Sequence, residues 1–220
     1  MRHVTSRLLL AAAMTLGAIA PAAAGVIRGV LVTAPHRARP GAGASPTKPA
    51  VQKGARDAVI YLEQVPDKVE KKLAKTAKKK TPRPPRIVQR QLAFVPRVLA
   101  APAGTLVEIE NLDRVYHNTF SISASKRFDL GKYPPGAIDS VVFDRVGVAN
   151  LHCDIHPDES AFVVIVPNHA FARPDSLGRF ELPKLPKGQY QLRVWHPRLG
   201  EITRVVDMPK HGDVALELRF

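Results

Sequence analysis

"GVANLHCDIHPDESAFVVIV", residues 147–166, decides how the rest of the chain is read. Two apolar, β-branched runs, "VANLHC" and "AFVVIV", flank a segment of turn formers, so the stretch predicts two strands joined by a loop. The loop begins at Cys153, the single cysteine of the chain, and His156 follows three residues later. A lone cysteine cannot close an internal disulfide. C-x-x-H at a strand end folds a thiolate and an imidazole toward one point, where a metal ion could take both.

Compartment gives that cysteine its meaning. The chain opens "MRHVTSRLLLAAAMTLGAIAPAAAG", with Arg2 and Arg7 ahead of an apolar run over 8–20 and a small-residue ending near Ala24. This order predicts a secretory signal peptide over 1–24, cleaved on export. As a helix the apolar run spans about 20 Å, short of the roughly 30 Å hydrocarbon core. No stable membrane insertion is expected after cleavage, and the periplasm of a bacterium is the expected location. In that oxidising space an unpaired cysteine indicates a partner chain, a reactive thiol or a metal. The formal net charge of +14 predicts anionic partners. Export argues against nucleic acid among them.

The expected fold class is all-β: a Greek-key sandwich plus a second, smaller immunoglobulin-like or transthyretin-like sandwich, with a short basic helix between. "VIRGVLVTA" (26–34) and "DAVIYLE" (57–63) read as strands at the start of the smaller unit, over 25–64. The Pro- and Gly-rich stretch at 35–55 between them reads as a loop. Over 65–86, "PDKVEKKLAKTAKKKTPRPPR" predicts a very basic surface helix or linker. Asp67 and Glu70 sit at capping-box spacing, and Val69, Leu73 and Ala77 form an apolar stripe. Residues 87–167 read as short strands throughout, among them "YHNTFSIS", "DSVVFD", "VANLHC" and "AFVVIV". Residues 168–220 are again β-rich. The N-terminal flank offers about two strands, too few to stand alone, and the C-terminal flank about four that lack edge partners, so the two are expected to pair with each other, and the 87–167 unit becomes an insertion between them.

His117, in "YHNTFS", completes the candidate site. A thiolate with two imidazoles is the trigonal set that favours copper and tunes it for electron transfer. His117 lies on another strand and must reach the loop from the neighbouring sheet position. His152 should face away from Cys153, because side chains alternate along a strand. Phe120, Phe143 and Trp195 are expected in cores. No G-x-S-x-G or H-E-x-x-H occurs, so no enzyme activity is expected. The same set with an open position could hold a catalytic zinc with Glu159 as base, which suits the strand-and-turn context less well.

On "YHNTFS", "GVANLHCDIHP" and "AFVVIV" the sequence resembles the cupredoxins, the blue-copper family of plastocyanin and amicyanin. More narrowly, "FVPRVL", "GTLVEIENLD", "KRFDLGKYPPG", "VVFDRVGV" and "CDIHPDESAFVVIV" resemble exported plastocyanin-like proteins often labelled methylamine utilization proteins. "DSLGRFELPKLPKGQYQLRVWHP" is similar to a carboxypeptidase regulatory-like, or carbohydrate-binding-like, sandwich. The resemblance implies His117, Cys153 and His156 as equatorial copper ligands, and Asn118 as a hydrogen-bond partner of the cysteine's loop.

One position departs from the family. Its pattern places an axial methionine six residues after the cysteine, where this chain has Glu159. Three arrangements are open: Glu159 binds copper axially, it points to solvent and leaves a three-coordinate or water-capped site, or the site holds no copper. The metal-site set is therefore His117, Cys153, His156 and Glu159. The implied function is a single-electron carrier meeting an acidic redox partner. The alternative is copper storage or delivery, or a cell-envelope binding module with no redox role.

Overall fold

The computed structural model describes residues 24–33 and 54–220. The signal-peptide expectation over 1–24 and almost all of the 35–55 loop lie outside the described residues. β1 (Ile27–Val32), β2 (Val59–Leu62) and α1 (Asp67–Lys80) come first. The central segment carries β3 (Arg86–Gln89), β4 (Phe94–Val95), β5 (Val98–Pro102), β6 (Thr105–Asn111), β7 (His117–Ser123) and β8 (Lys126–Tyr133). It continues with β9 (Ile138–Phe143), β10 (Gly147–His152) and β11 (Ser160–Val166). The last segment adds β12 (Phe171–Ala172), β13 (Arg179–Glu181), β14 (Gly188–His196), β15 (Gly200–Met208) and β16 (Val214–Arg219).

The central strands form two facing sheets, ordered β5-β11-β10-β7-β8 and β4-β3-β6-β9. Inward residues of both close one core: Ile87, Val107, Ile109, Phe143, Leu151 and Val163 are all fully buried. Burying a side chain such as Phe143 contributes about 1.5–3 kcal/mol, so this alternation is what fixes the register. β10 pairs antiparallel with β11 and with β7, which sets the cysteine strand beside the strand that begins at His117. β8 lies at one edge of its sheet. Its "KRFDLGKY" alternates charged and apolar residues at a sheet edge, where the outer face stays in water.

The flanks pair with each other. β1 lies between β13 and β16, and β2 lies between β12 and β14, so strands from both ends of the chain build the second pair of sheets. "VIRGVLV" joins neither central sheet. In the parallel β1–β16 pair, a Cβ at Gly29 would sit 2.2 Å from the Leu216 carbonyl oxygen, so the close approach requires glycine there. The core of this unit includes Ile27, Leu31, Ile60, Leu62, Leu192 and Val206. A third apolar cluster, Val59, Val98, Val164, Val166 and Trp195, joins the two units. There Phe162 and Trp195 meet with ring centroids 5.4 Å apart, and Arg97 pairs with Asp57 at 3.2 Å.

α1 lays Val69 and Leu73 against the flanking core and turns Lys68, Lys71, Lys72, Lys75, Lys78, Lys79 and Lys80 to solvent. The expected capping box is absent. Pro66 is the N-cap, no side chain caps it, and Asp67 is already helical. Glu70 is engaged elsewhere: its carboxylate accepts the His169 backbone N–H at 2.9 Å and meets the His169 ring Nδ1 at 2.6 Å. The pair ties the helix to the turn after β11, a stronger use of the carboxylate than a cap at an exposed end. Among the described residues no helix is long and apolar enough to cross a membrane.

Candidate metal centre

β7, β10 and the turn after β10 bring four side chains together. His117 opens β7 and is fully buried; Cys153 follows the last residue of β10 and is 3% exposed. His156 and Glu159 lie in the next turn, closed by a hydrogen bond from the Glu159 N–H to the His156 carbonyl at 3.0 Å. The His117 and His156 Nδ1 atoms are 3.1 Å apart, and Cys153 Sγ lies 3.9 Å from the first and 3.7 Å from the second. Glu159 Oε1 is 3.2 Å from His117 Nδ1 and 3.1 Å from His156 Nδ1. All four donor atoms fall within 4.8 Å of one another.

These spacings suit a shared ion. Two nitrogens about 2.0–2.1 Å from one tetrahedral metal are about 3.3 Å apart, and a sulfur at about 2.3 Å is about 3.6 Å from either. The chemistry of the set points the same way. Glu159 Oε1 is buried with no hydrogen-bond partner and faces the Nδ1 atoms of both imidazoles. An unsatisfied buried acceptor costs about 1–3 kcal/mol, more when charged, and a cation among these donors would offset it. The residues present therefore fit a metal. Two of the three arrangements open for Glu159 can be separated here: its side chain is fully buried, so the solvent-pointing one does not occur.

Two partners fix the donors, and neither was visible in the sequence motifs. Asp113 Oδ2 lies 3.1 Å from His117 Nε2, which places the ring proton on Nε2 and leaves the Nδ1 lone pair facing the cluster. Asp113 is itself held by the backbone N–H groups of Gln91 at 2.6 Å and Leu92 at 2.9 Å. Both residues adopt positive φ, near 55°, so the turn pays backbone strain to aim two donors at one carboxylate. Burial raises the Asp113 carboxyl, but the Leu92, Gln91 and His117 contacts outweigh it and hold it below the ordinary range.

Gln89 is the second. It is fully buried on β3, in the opposite sheet, and its Nε2 donates to Glu159 Oε2 at 2.6 Å. Its Oε1 accepts from the Tyr133 hydroxyl, whose oxygen in turn accepts from Thr119 Oγ1 at 2.6 Å. Burial, against the lowering Thr119 hydrogen bond and with the negative charges of Cys153 and Glu159 adding, pushes the Tyr133 phenol far above its ordinary value. Tyr133 therefore remains a donor.

Two neighbours differ from expectation. Asn118 Nδ2 donates to Asp129 on β8 at 3.0 Å, so it braces the β7–β8 pair; its hydrogen bond does not reach the cysteine's loop. Phe120 is half-buried, outside the core, because His117, Thr119 and Ser121 take the inward positions of β7. It meets the His152 ring across the sheet, centroids 5.7 Å apart, on the face away from Cys153. Phe143 and Trp195 are buried as expected.

No family model matches this chain, and no curated protein does. Solved structures do match. A purple cupredoxin from Nitrosopumilus maritimus is 27% identical over 37% of this chain and 98% of that chain, with a TM-score of 0.34. A copper-containing nitrite reductase from Thermus scotoductus SA-01 is 25% identical over 39% of this chain and 23% of that chain, TM-score 0.37. The Cu(I) form of an amicyanin mutant is 18% identical over 37% of this chain and 81% of that chain, TM-score 0.35.

Proposed function

We propose that this chain is an exported copper protein whose central sandwich carries single electrons. The observation that carries the reading is the convergence of Cys153 Sγ, two imidazole Nδ1 atoms and an otherwise unpartnered Glu159 oxygen at one buried point. A soft thiolate with two imidazoles selects copper over harder ions. Copper bound there supplies a one-electron couple between Cu(I) and Cu(II).

The chain's own residues do the remaining work. The strand end at Cys153 and the strand start at His117 hold two donors on rigid backbone, and Asp113 locks the His117 ring. Glu159 adds a hard anionic donor, which favours the more charged oxidation state and lowers the reduction potential. His156, its side chain 25% exposed while those of His117 and Glu159 are fully buried, gives the centre its route to solvent and to a partner. The lysine face of α1 steers an acidic redox partner by long-range attraction.

The test is electrochemistry and absorption on protein purified from the periplasm. A reversible one-electron couple with an intense visible band supports the carrier. Tight Cu(I) binding without that band assigns the chain to copper storage or delivery instead.

A further inference from the structure

Glu159 is held by only one of its two oxygens. Oε2 accepts the Gln89 amide N–H at 2.6 Å, whereas Oε1 has no hydrogen-bond partner and faces the two imidazole nitrogens. Gln89 in turn has no freedom to turn over. Its carbonyl end accepts the Tyr133 hydroxyl, and the Tyr133 oxygen accepts the Thr119 hydroxyl at 2.6 Å. A flipped amide would set its oxygen against the Glu159 carboxylate, losing the hydrogen bond to Oε2 and facing two acceptors at each other in a buried site. Tyr133 comes from β8 and Thr119 from β7, so the amide from β3 is clamped by the opposite sheet.

We infer that Gln89 is a positioning residue that makes Glu159 a one-oxygen donor to the metal and sets how strongly it donates; this rests on the copper reading above. By occupying Oε2, the amide prevents the carboxylate from presenting both oxygens to the ion. By donating a proton to the anion it also draws charge from the carboxylate and weakens it as a ligand. A carboxylate in this position would otherwise pull the potential down further. Gln89 limits that pull across a contact 70 residues distant in sequence.

The experiment is a double-mutant cycle on Cu(II)-loaded protein, with Gln89→Leu and Glu159→Ala, read by visible absorption, electron paramagnetic resonance and reduction potential. The expected result is a lower potential and altered copper spectra in Gln89→Leu, and no effect of the same substitution in the Glu159→Ala background. An equal shift in both backgrounds overturns the inference, because Gln89 would then act through packing alone. No shift in Gln89→Leu, while Glu159→Ala does shift the spectra, overturns the inference and leaves Glu159 a copper ligand. No shift in Glu159→Ala removes both. If the leucine variant does not fold, Gln89→Met, unbranched and lacking the donor, is read by the same outcomes.

Discussion

Asp113 Oδ2 stands 3.1 Å from His117 Nε2 and takes the backbone N–H of Leu92 at 2.9 Å. One carboxylate thus joins the ring that faces the metal cluster to a strained turn from another strand connection. Substituting Asp113→Ala frees the ring to rotate and to carry its proton on either nitrogen. Loss of an outer partner of this kind costs about 10–100-fold in metal affinity. A competition titration of Cu(II) against a chelator should show a loss in that range; unchanged affinity would mean the ring is held by packing alone.

The anionic Glu159 should depress the reduction potential relative to a thioether. Glu159→Met therefore raises the potential and deepens the visible absorption, read by voltammetry and optical spectra of the copper-loaded variant. Spectra and potential identical to the wild type would show that the carboxylate does not ligate, whatever its position 3.1–3.2 Å from the imidazoles.

How far the sequence could be read depended on distance along the chain. Cys153 and His156 share one turn, and His117 carries its own motif, so the cluster was visible from local spacing together with the logic of export. The stripe Val69, Leu73, Ala77 marked α1 because helical periodicity is local as well. Asp113 and Gln89 were not visible. The Gln89–Glu159 contact depends on two sheets facing each other, and no neighbour of Gln89 in sequence announces it. Glu70 was misread for the same reason: its partner His169 lies 99 residues away, and the local capping pattern was the only signal available. Phe120 misled because apolar character suggested a core position. The strand's alternation from His117 placed Thr119 and Ser121 inward instead.

The lysine face of α1 gives a salt-dependent prediction. Charge reversal at Lys78, Lys79 and Lys80, all exposed, should slow association with an acidic electron-transfer partner at low ionic strength. The effect should fade near 0.15 M salt, where screening acts over about 8 Å. Stopped-flow association rates across a salt series decide it; equal rates at low salt would remove steering by this helix.

His196 sets part of the acid sensitivity of the flanking unit. Its Nε2 donates to the Gly54 carbonyl at 3.1 Å and its Nδ1 accepts the Arg198 and Leu199 N–H groups, which holds the ring neutral. Burial, against the raising effect of Gly54, keeps its protonation below the ordinary histidine value. The unfolded chain therefore binds the proton at higher pH than the folded one. The stability from the neutral ring is complete above about pH 6.5 and is lost as pH falls through that value toward the lower, folded one. Urea midpoints of the metal-free protein between about pH 5 and 7.5 should fall less steeply in His196→Gln than in the wild type. Equal slopes would assign the acid sensitivity to other groups.

The most direct measurement is copper stoichiometry with the visible spectrum, wild type beside Cys153→Ser. One copper per wild-type chain with an intense thiolate-to-copper band, and loss of that band in the variant, is the expected outcome. Wild-type protein that takes up no copper, or a band that survives replacement of the sulfur, would contradict it.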